Sequence, residues 1–427
     1  MRSKTLIAAG LAAVFGLAAC SSGDDDETGG GGGETGGDGT LSGEVTMWYP
    51  PIAGDAEREF WDAKIAEFTE MHPDVEVTVE IVPWDGRAER LQTGIAGNTT
   101  PDVTYVLPSD VYSYGSQGIF TDVSSIIAED SDDFLPNALE TLSVDGTLYA
   151  VPTLVGMSTT IYVRDVWDAV GISEEDYPTT FEEVRELAPM LADEGYYITQ
   201  YDAAPSMTLN GSFYPLLWAS GGRVLNADGE VTVNGPEAIE ALDFISFLVD
   251  NDYTPRDALT TDLPVETSPI ARGEVAMLFA RSVASLTQYG LTEEQLVVGP
   301  PIENTESTSY GNVGGYALFE GSADNEAAHE WIRFVTSPAF LAEFLPERDQ
   351  LSPRLSVTDL YPEDSPNAQL AQYLDRGIVD PQAPGGTEIM NVLKPAVQSV
   401  LLGQAEPQAA MDGAAEEIEG VLARTGG

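Results

Sequence analysis

Cysteine and histidine, the side chains most often recruited for chemistry, are nearly absent from this sequence. Cys20 is the sole cysteine, so no internal disulfide can form. His72 and His329 are the only histidines, and each falls on a helical stretch, so a two-histidine metal site is not expected. No G-x-S-x-G, H-E-x-x-H or phosphate-loop sequence occurs. Carboxylates are the opposite case: 71 acidic residues guarantee chance pairs, so counting them cannot identify a hydrolase. A secreted glycoside hydrolase with an unrecognised carboxylate pair remains the alternative from another class. The residues left for specific work are the tryptophans, the tyrosines and a few arginines, and their chemistry is non-covalent recognition. No enzyme activity, cofactor or metal is expected.

The elements that must position these groups alternate between strand and helix. Glu44 to Tyr49 reads as a strand, and Glu57 to Met71 as a helix with Phe60, Ile65 and Phe68 on its apolar stripe. Val75 to Val82 alternates and is a second strand, Arg87 to Gly97 is helical, and Pro101 to Leu107 is a short apolar third strand. This βαβαβ opening predicts an open α/β sheet. Phe181 to Asp193 is a helix capped by Thr180 with early acids Glu182 and Glu183. Pro236 to Asn251 begins with proline, and Glu326 to Val335 and Pro407 to Leu422 are helices too. Ligands of open sheets bind beyond the carboxyl ends of the strands. Tyr49, Pro50 and Pro51 follow the first strand, Trp84 and Asp85 the second, and Ser109 and Asp110 the third. Trp48 lies mid-strand, and Trp61, Trp167 and Trp331 sit at helical spacing, so these four belong to the core.

The N-terminus has a separate organisation. Arg2 and Lys4 precede an uncharged stretch from Leu6 to Ala19. Its length, ~21 Å as a helix, is short of a ~30 Å bilayer core, as in a signal peptide. Leu17-Ala18-Ala19-Cys20 looks like a bacterial lipobox, which predicts cleavage before Cys20 and lipidation of its sulfur. Ser21 to Thr40 is glycine-rich and acidic with no aromatic or aliphatic residue, so it has nothing to fold around. As a coil it spans roughly 25 Å. The globular body begins near Leu41.

The net charge of −53 argues against nucleic acid and against docking on anionic lipid headgroups. Only Lys4, Lys64 and Lys394 are lysines. The surface resembles one adapted to salt, and high-GC composition bias explains it equally well. At 43% hydrophobic, the body can support two lobes.

A series of segments carries a resemblance. They are Val45 to Tyr49, Phe68-Thr69-Glu70-Met71-His72-Pro73, Ala96 to Val103, Gly118 to Val123, Leu148 to Pro152 and Tyr177 to Glu183. Ala219-Ser220-Gly221-Gly222, Arg272 to Met277, Val313 to Tyr316 and Ala409-Ala410-Met411 follow. In this order they resemble the bacterial extracellular solute-binding proteins of ABC importers, specifically the sugar-binding branch that includes maltose-binding protein.

That resemblance implies a two-lobed periplasmic-binding-protein-like α/β fold of type II, with open sheets, flanking helices and crossing hinge strands. Crossings are implied near Tyr149 to Ile161, Val297 to Glu303 and Phe344 to Leu355. Residues 1–19 would be the signal peptide, and 20–40 the lipidated linker. Residues 41–152 with 300–345 would form the first lobe, and 153–299 with 346–427 the second. The implied function is capture of a mono- or oligosaccharide between the lobes and delivery to membrane permease subunits by a lipid-anchored monomer.

Family contacts map onto Gly156 and Met157, and onto Phe213 and Tyr214 just ahead of Trp218, which faces either the cleft or the core beneath Gly221-Gly222. Arg281, Gly315, Tyr316, Arg354, Met390 and Asn391 complete the candidates, with Tyr49, Pro51, Trp84, Ser109 and Asp110 from the strand ends. Two departures stand out. Val163 replaces an asparagine of many relatives, and Phe279 to Val283 lacks the tryptophan found there in many sugar binders. Arg281 in that segment would suit an acidic sugar, a polyol phosphate or another anion. Tyr196-Tyr197 resembles the paired tyrosines of ferric-binding proteins, and equally starts a strand after a helix.

Overall fold

The computed structural model describes residues 41–52, 57–84, 86–115, 117–226, 228–379 and 385–425. The leader, Cys20 and the acidic linker lie outside the described residues, as does Asp85.

Strands β1 (Ser42–Tyr49), β2 (Asp74–Ile81), β3 (Val103–Val106), β4 (Ser143–Val144), β5 (Thr147–Leu148) and β6 (Ala150–Met157) come first. Then follow β7 (Thr159–Val163), β8 (Met277–Arg281), β9 (Leu296–Val298), β10 (Ser309–Leu318) and β11 (Gly377–Ile378). β1 lies parallel to β2 and β3, as the βαβαβ opening predicts. β2 is an edge strand that buries Val75, Val77 and Val79 and exposes Glu76, Thr78 and Glu80, the two-residue period of a half-buried strand. β3 is buried at every position, as central parallel strands are.

β10 runs antiparallel to β3 and β6 and parallel to β11, and so ties the first sheet together. Its register shifts between Gly314 and Gly315. A Cβ on Gly314 would sit 1.9 Å from the Tyr105 hydroxyl, so only glycine lets that ring lie across the strand. In the hairpin β4–β5, Asp145 and Gly146 both have positive φ, the geometry of a type I′ turn.

The second sheet is β8-β7-β9, all antiparallel. The chain passes from the first sheet to the second through Ser158 alone, whose N–H donates to the Tyr310 carbonyl across 2.9 Å. It returns between Val298 and Ser309, and Leu351 later pairs with Val155. The first passage lies within Tyr149 to Ile161, the second overlaps Val297 to Glu303 and runs beyond it, and the Leu351–Val155 bridge lies on the first sheet.

Helices cover both sheets. Glu57–Met71 buries Trp61 and Phe68, and Trp331 of Glu326–Val335 donates its indole N–H to Met47 Sδ at 3.2 Å. Trp61, Trp167 and Trp331 are fully buried, as their helical spacing predicts. Trp48 is only half-buried, its ring covered by the Arg90 guanidinium at 4.4 Å. Phe181–Asp193 opens on a capping box: Thr180 accepts from the Glu183 N–H, and Glu183 accepts from the N–H of Thr180. Phe181 stacks on Phe244 of Pro236–Asp250 at 3.8 Å, worth about 0.5–1.5 kcal/mol beyond area burial. Tyr197 follows the first of these helices and bridges to Val275, donating its N–H to the Glu274 carbonyl, so the tyrosine pair does begin a strand-like pairing. Among the described residues, no helix is long and apolar enough to cross a membrane.

Candidate functional site

Beyond the carboxyl ends of β2 and β3, Trp84 is 46% exposed, the largest open ring among the strand-end candidates. Its edge meets Tyr105 with centroids 6.1 Å apart. Arg87 donates to the Tyr105 carbonyl at 2.8 Å and to Asp110 at 2.5 Å. Asp110 also accepts from the Leu107 N–H, so this carboxylate fixes the turn from β3 into helix Pro108–Tyr114. Ser109 is exposed beside it, and Pro51 is half-exposed at the end of β1.

At the end of β8, Arg281 Nη2 donates to Asp202 Oδ2 across 2.5 Å, and Gln200 Nε2 donates to Asp202 Oδ1 across 3.0 Å. Burial raises the Asp202 pKa, and the Arg281 charge works against that rise. The free guanidinium that favours an anion in the sequence therefore arrives already paired. Ala280, immediately before Arg281, holds φ at 46°, a left-handed conformation costly for a residue with a Cβ. Gly211 lies under the guanidinium: a Cβ there would stand 2.9 Å from Arg281 Nη1. The neighbouring Asn210 lies near the side chain of Tyr310, on β10. Trp84, Tyr105 and Arg87 thus stand at the strand ends of the first sheet, and Arg281 and Asp202 at the end of β8 in the second.

Gly156 of β6 faces Asn312 and Gln350, and a Cβ on it would lie 3.4 and 3.3 Å from their amides. Gln350 Oε1 is buried with no hydrogen-bond partner among the described residues. The segment from Tyr201 to Ser212 also walls a cavity of ≈ 230 Å³ with Asn391, Lys394 and Gln398 of helix Gly386–Leu401. Met390, beside Asn391, is half-buried.

Residues 54–340 match the family model described as bacterial extracellular solute-binding protein. The chain belongs to this family. It is 30% identical to the mannitol-binding protein of Pseudomonas aeruginosa over 64% of this chain and 65% of that one. It is 22% identical to the diacetylchitobiose binding protein of Streptomyces coelicolor, over 80% and 79%. The sugar-binding protein MalE of Xanthomonas citri superposes with a TM-score of 0.78 at 19% identity, covering 90% of this chain and 98% of that one. The fold is thus the two-lobed α/β architecture of the periplasmic binding proteins.

Within this solute-binding protein, several expected contacts prove to be core. Tyr49, Phe213, Tyr214, Trp218 and Tyr316 have no exposed surface, and Met157 is buried. Tyr49 packs against Trp61, Tyr105 and Phe344. All of helix Phe213–Ala219 is buried, with Tyr214 stacked on Trp218 at 5.7 Å. Gly315 packs inside β10, where a Cβ would meet Leu142 at 2.5 Å. Arg354 is sealed by Asp130 at 2.7 Å, Asp133 at 3.0 Å and the Thr336 carbonyl, with its guanidinium over Phe134 at 4.1 Å. It braces the loop at Asp133 rather than offering donors. The sequence does not mark Asp202 as the partner of Arg281, nor Lys394 as part of the cavity wall.

Proposed function

We propose that this protein is the substrate receptor of an ABC importer for a carbohydrate, a mono- or oligosaccharide. One observation carries the reading: Trp84 offers an open aromatic face beyond the strand ends of the first sheet, and Arg281 with Asp202 offers a paired donor and acceptor at the end of β8, the two kinds of group that a sugar requires. The solute would bridge both sheets and favour the closed form through its contacts to each, and a membrane permease would read that form. The names of the relatives, which bind mannitol, diacetylchitobiose and other sugars, support the class. Cys20 and its linker would hold the receptor outside the cell membrane within reach of the permease.

Calorimetry against maltose, lactose, mannitol and diacetylchitobiose tests the proposal. Heat of binding with no product supports it. Product formation, or silence across a wide sugar panel, refutes it.

A further inference from the structure

We propose that Asp202 and Arg281 act as one charge-compensated unit that selects uncharged polyhydroxyl solutes and turns anionic ones away. The inference rests on the carbohydrate reading of this site and specifies its substrate class. The two side chains are mostly covered but not sealed, 13% and 17% exposed, so they reach solvent without being dissolved in it.

The geometry fixes the pair from several directions. Gln200 holds the second carboxylate oxygen, Gly211 leaves room for Nη1, and the left-handed Ala280 sets the direction in which Arg281 leaves β8. Asp262, whose carboxylate accepts from the Ser206 hydroxyl, adds a smaller like-charge influence on Asp202. Tyr289 completes the surroundings and feels both charges.

The Arg281 guanidinium is therefore matched by the Asp202 carboxylate. An anion that reaches Arg281 must approach Asp202 as well, in a protein of net charge −53. Like charges in a partly buried site repel strongly. A neutral sugar meets no such opposition. Of two neighbouring hydroxyls, one can donate to the Asp202 carboxylate and the other accept from Arg281, using lone pairs and N–H groups that the pair leaves over. Paired with Asp202, Arg281 works as a hydroxyl donor rather than an anion receptor.

The test is calorimetry on the intact protein with matched solutes: glucose and glucuronate, mannitol and mannitol 1-phosphate, maltose and maltose 6′-phosphate. The wild type should bind the neutral member of its preferred pair at least tenfold more tightly. Asp202→Asn, which removes one carboxylate from the guanidinium, should narrow or reverse that preference by a further tenfold, while Asp202→Glu should retain it. If the anionic member binds wild type as tightly as the neutral one, the inference fails and the carbohydrate reading stands. If no neutral solute from a wide panel binds at all, the carbohydrate reading fails. The wild-type comparison holds even where Asp202→Asn does not fold.

Discussion

Arg348 and Glu57, 291 residues apart in sequence, meet through a 2.5 Å hydrogen bond with both side chains sealed from solvent. The guanidinium also donates to the Phe344 carbonyl and the Tyr49 hydroxyl and lies over Phe60 and Phe344. It pins the start of helix Glu57–Met71 to the end of helix Pro338–Phe344. Removing one partner of such a pair strands a buried charge, so Arg348→Met should cost about 3–5 kcal/mol. Adding Glu57→Leu should return most of the loss. Urea unfolding of the two single variants and the double variant checks this, and strictly additive losses would mean that the groups are not coupled.

Gly314 and Tyr105 make a steric prediction. Gly314→Ala places a methyl where the Tyr105 ring lies, with ring atoms at 2.5 and 2.7 Å as well as the hydroxyl. Tyr105 also contacts Trp84 and Tyr316, so the strain cannot be absorbed by one rotation. Overpacking of this kind costs about 1–3 kcal/mol. Thermal unfolding should show that loss for Gly314→Ala, and Tyr105→Leu should relieve it. Tyr105→Phe should not, because the ring carbons still clash.

What could be read from the sequence was local. The alternation of Val75, Val77 and Val79 and the cap at Thr180 depend only on neighbours a few residues away, and both elements stand where their patterns place them. Tyr49 was legible in principle: it shares the two-residue phase of Val45 and Met47, and all three are buried. Its place at the strand end pointed towards solvent, and the phase decided otherwise. Arg354 was not legible, since its partner Asp133 lies 221 residues away. Asp202 is one acid among 71, with a partner 79 residues further on, and no local pattern marks it.

Asp102 gives a pH signature. Burial works to raise its pKa, but hydrogen bonds from Ser322, Thr46 and Asn325 outweigh it and hold the carboxyl below its ordinary value. A depressed folded pKa contributes stability that is fully present above the unfolded pKa, near ~3.9, and is lost as pH falls through the folded value. The stability gap between wild type and Asp102→Asn should therefore be constant from pH 7 to about 5 and shrink below about 4. Urea midpoints across that range would show it. A gap that widened on acidification would contradict this account.

Ala280 separates stability from binding. Its φ of 46° is a conformation that glycine adopts freely and that costs an L-residue about 1–2 kcal/mol. The methyl is buried, so part of that cost is repaid by packing. Ala280→Gly should therefore raise stability by about 0.5–1 kcal/mol net. The strained residue also aims Arg281 at Asp202, and glycine would let the end of β8 sample other directions. Solute affinity should fall severalfold even as the melting temperature rises, because the donor–acceptor pair is then less well ordered before the solute arrives. Calorimetry and thermal unfolding on the same variant measure the two effects separately. A variant with unchanged affinity would show that the backbone at Ala280 has no part in holding the pair.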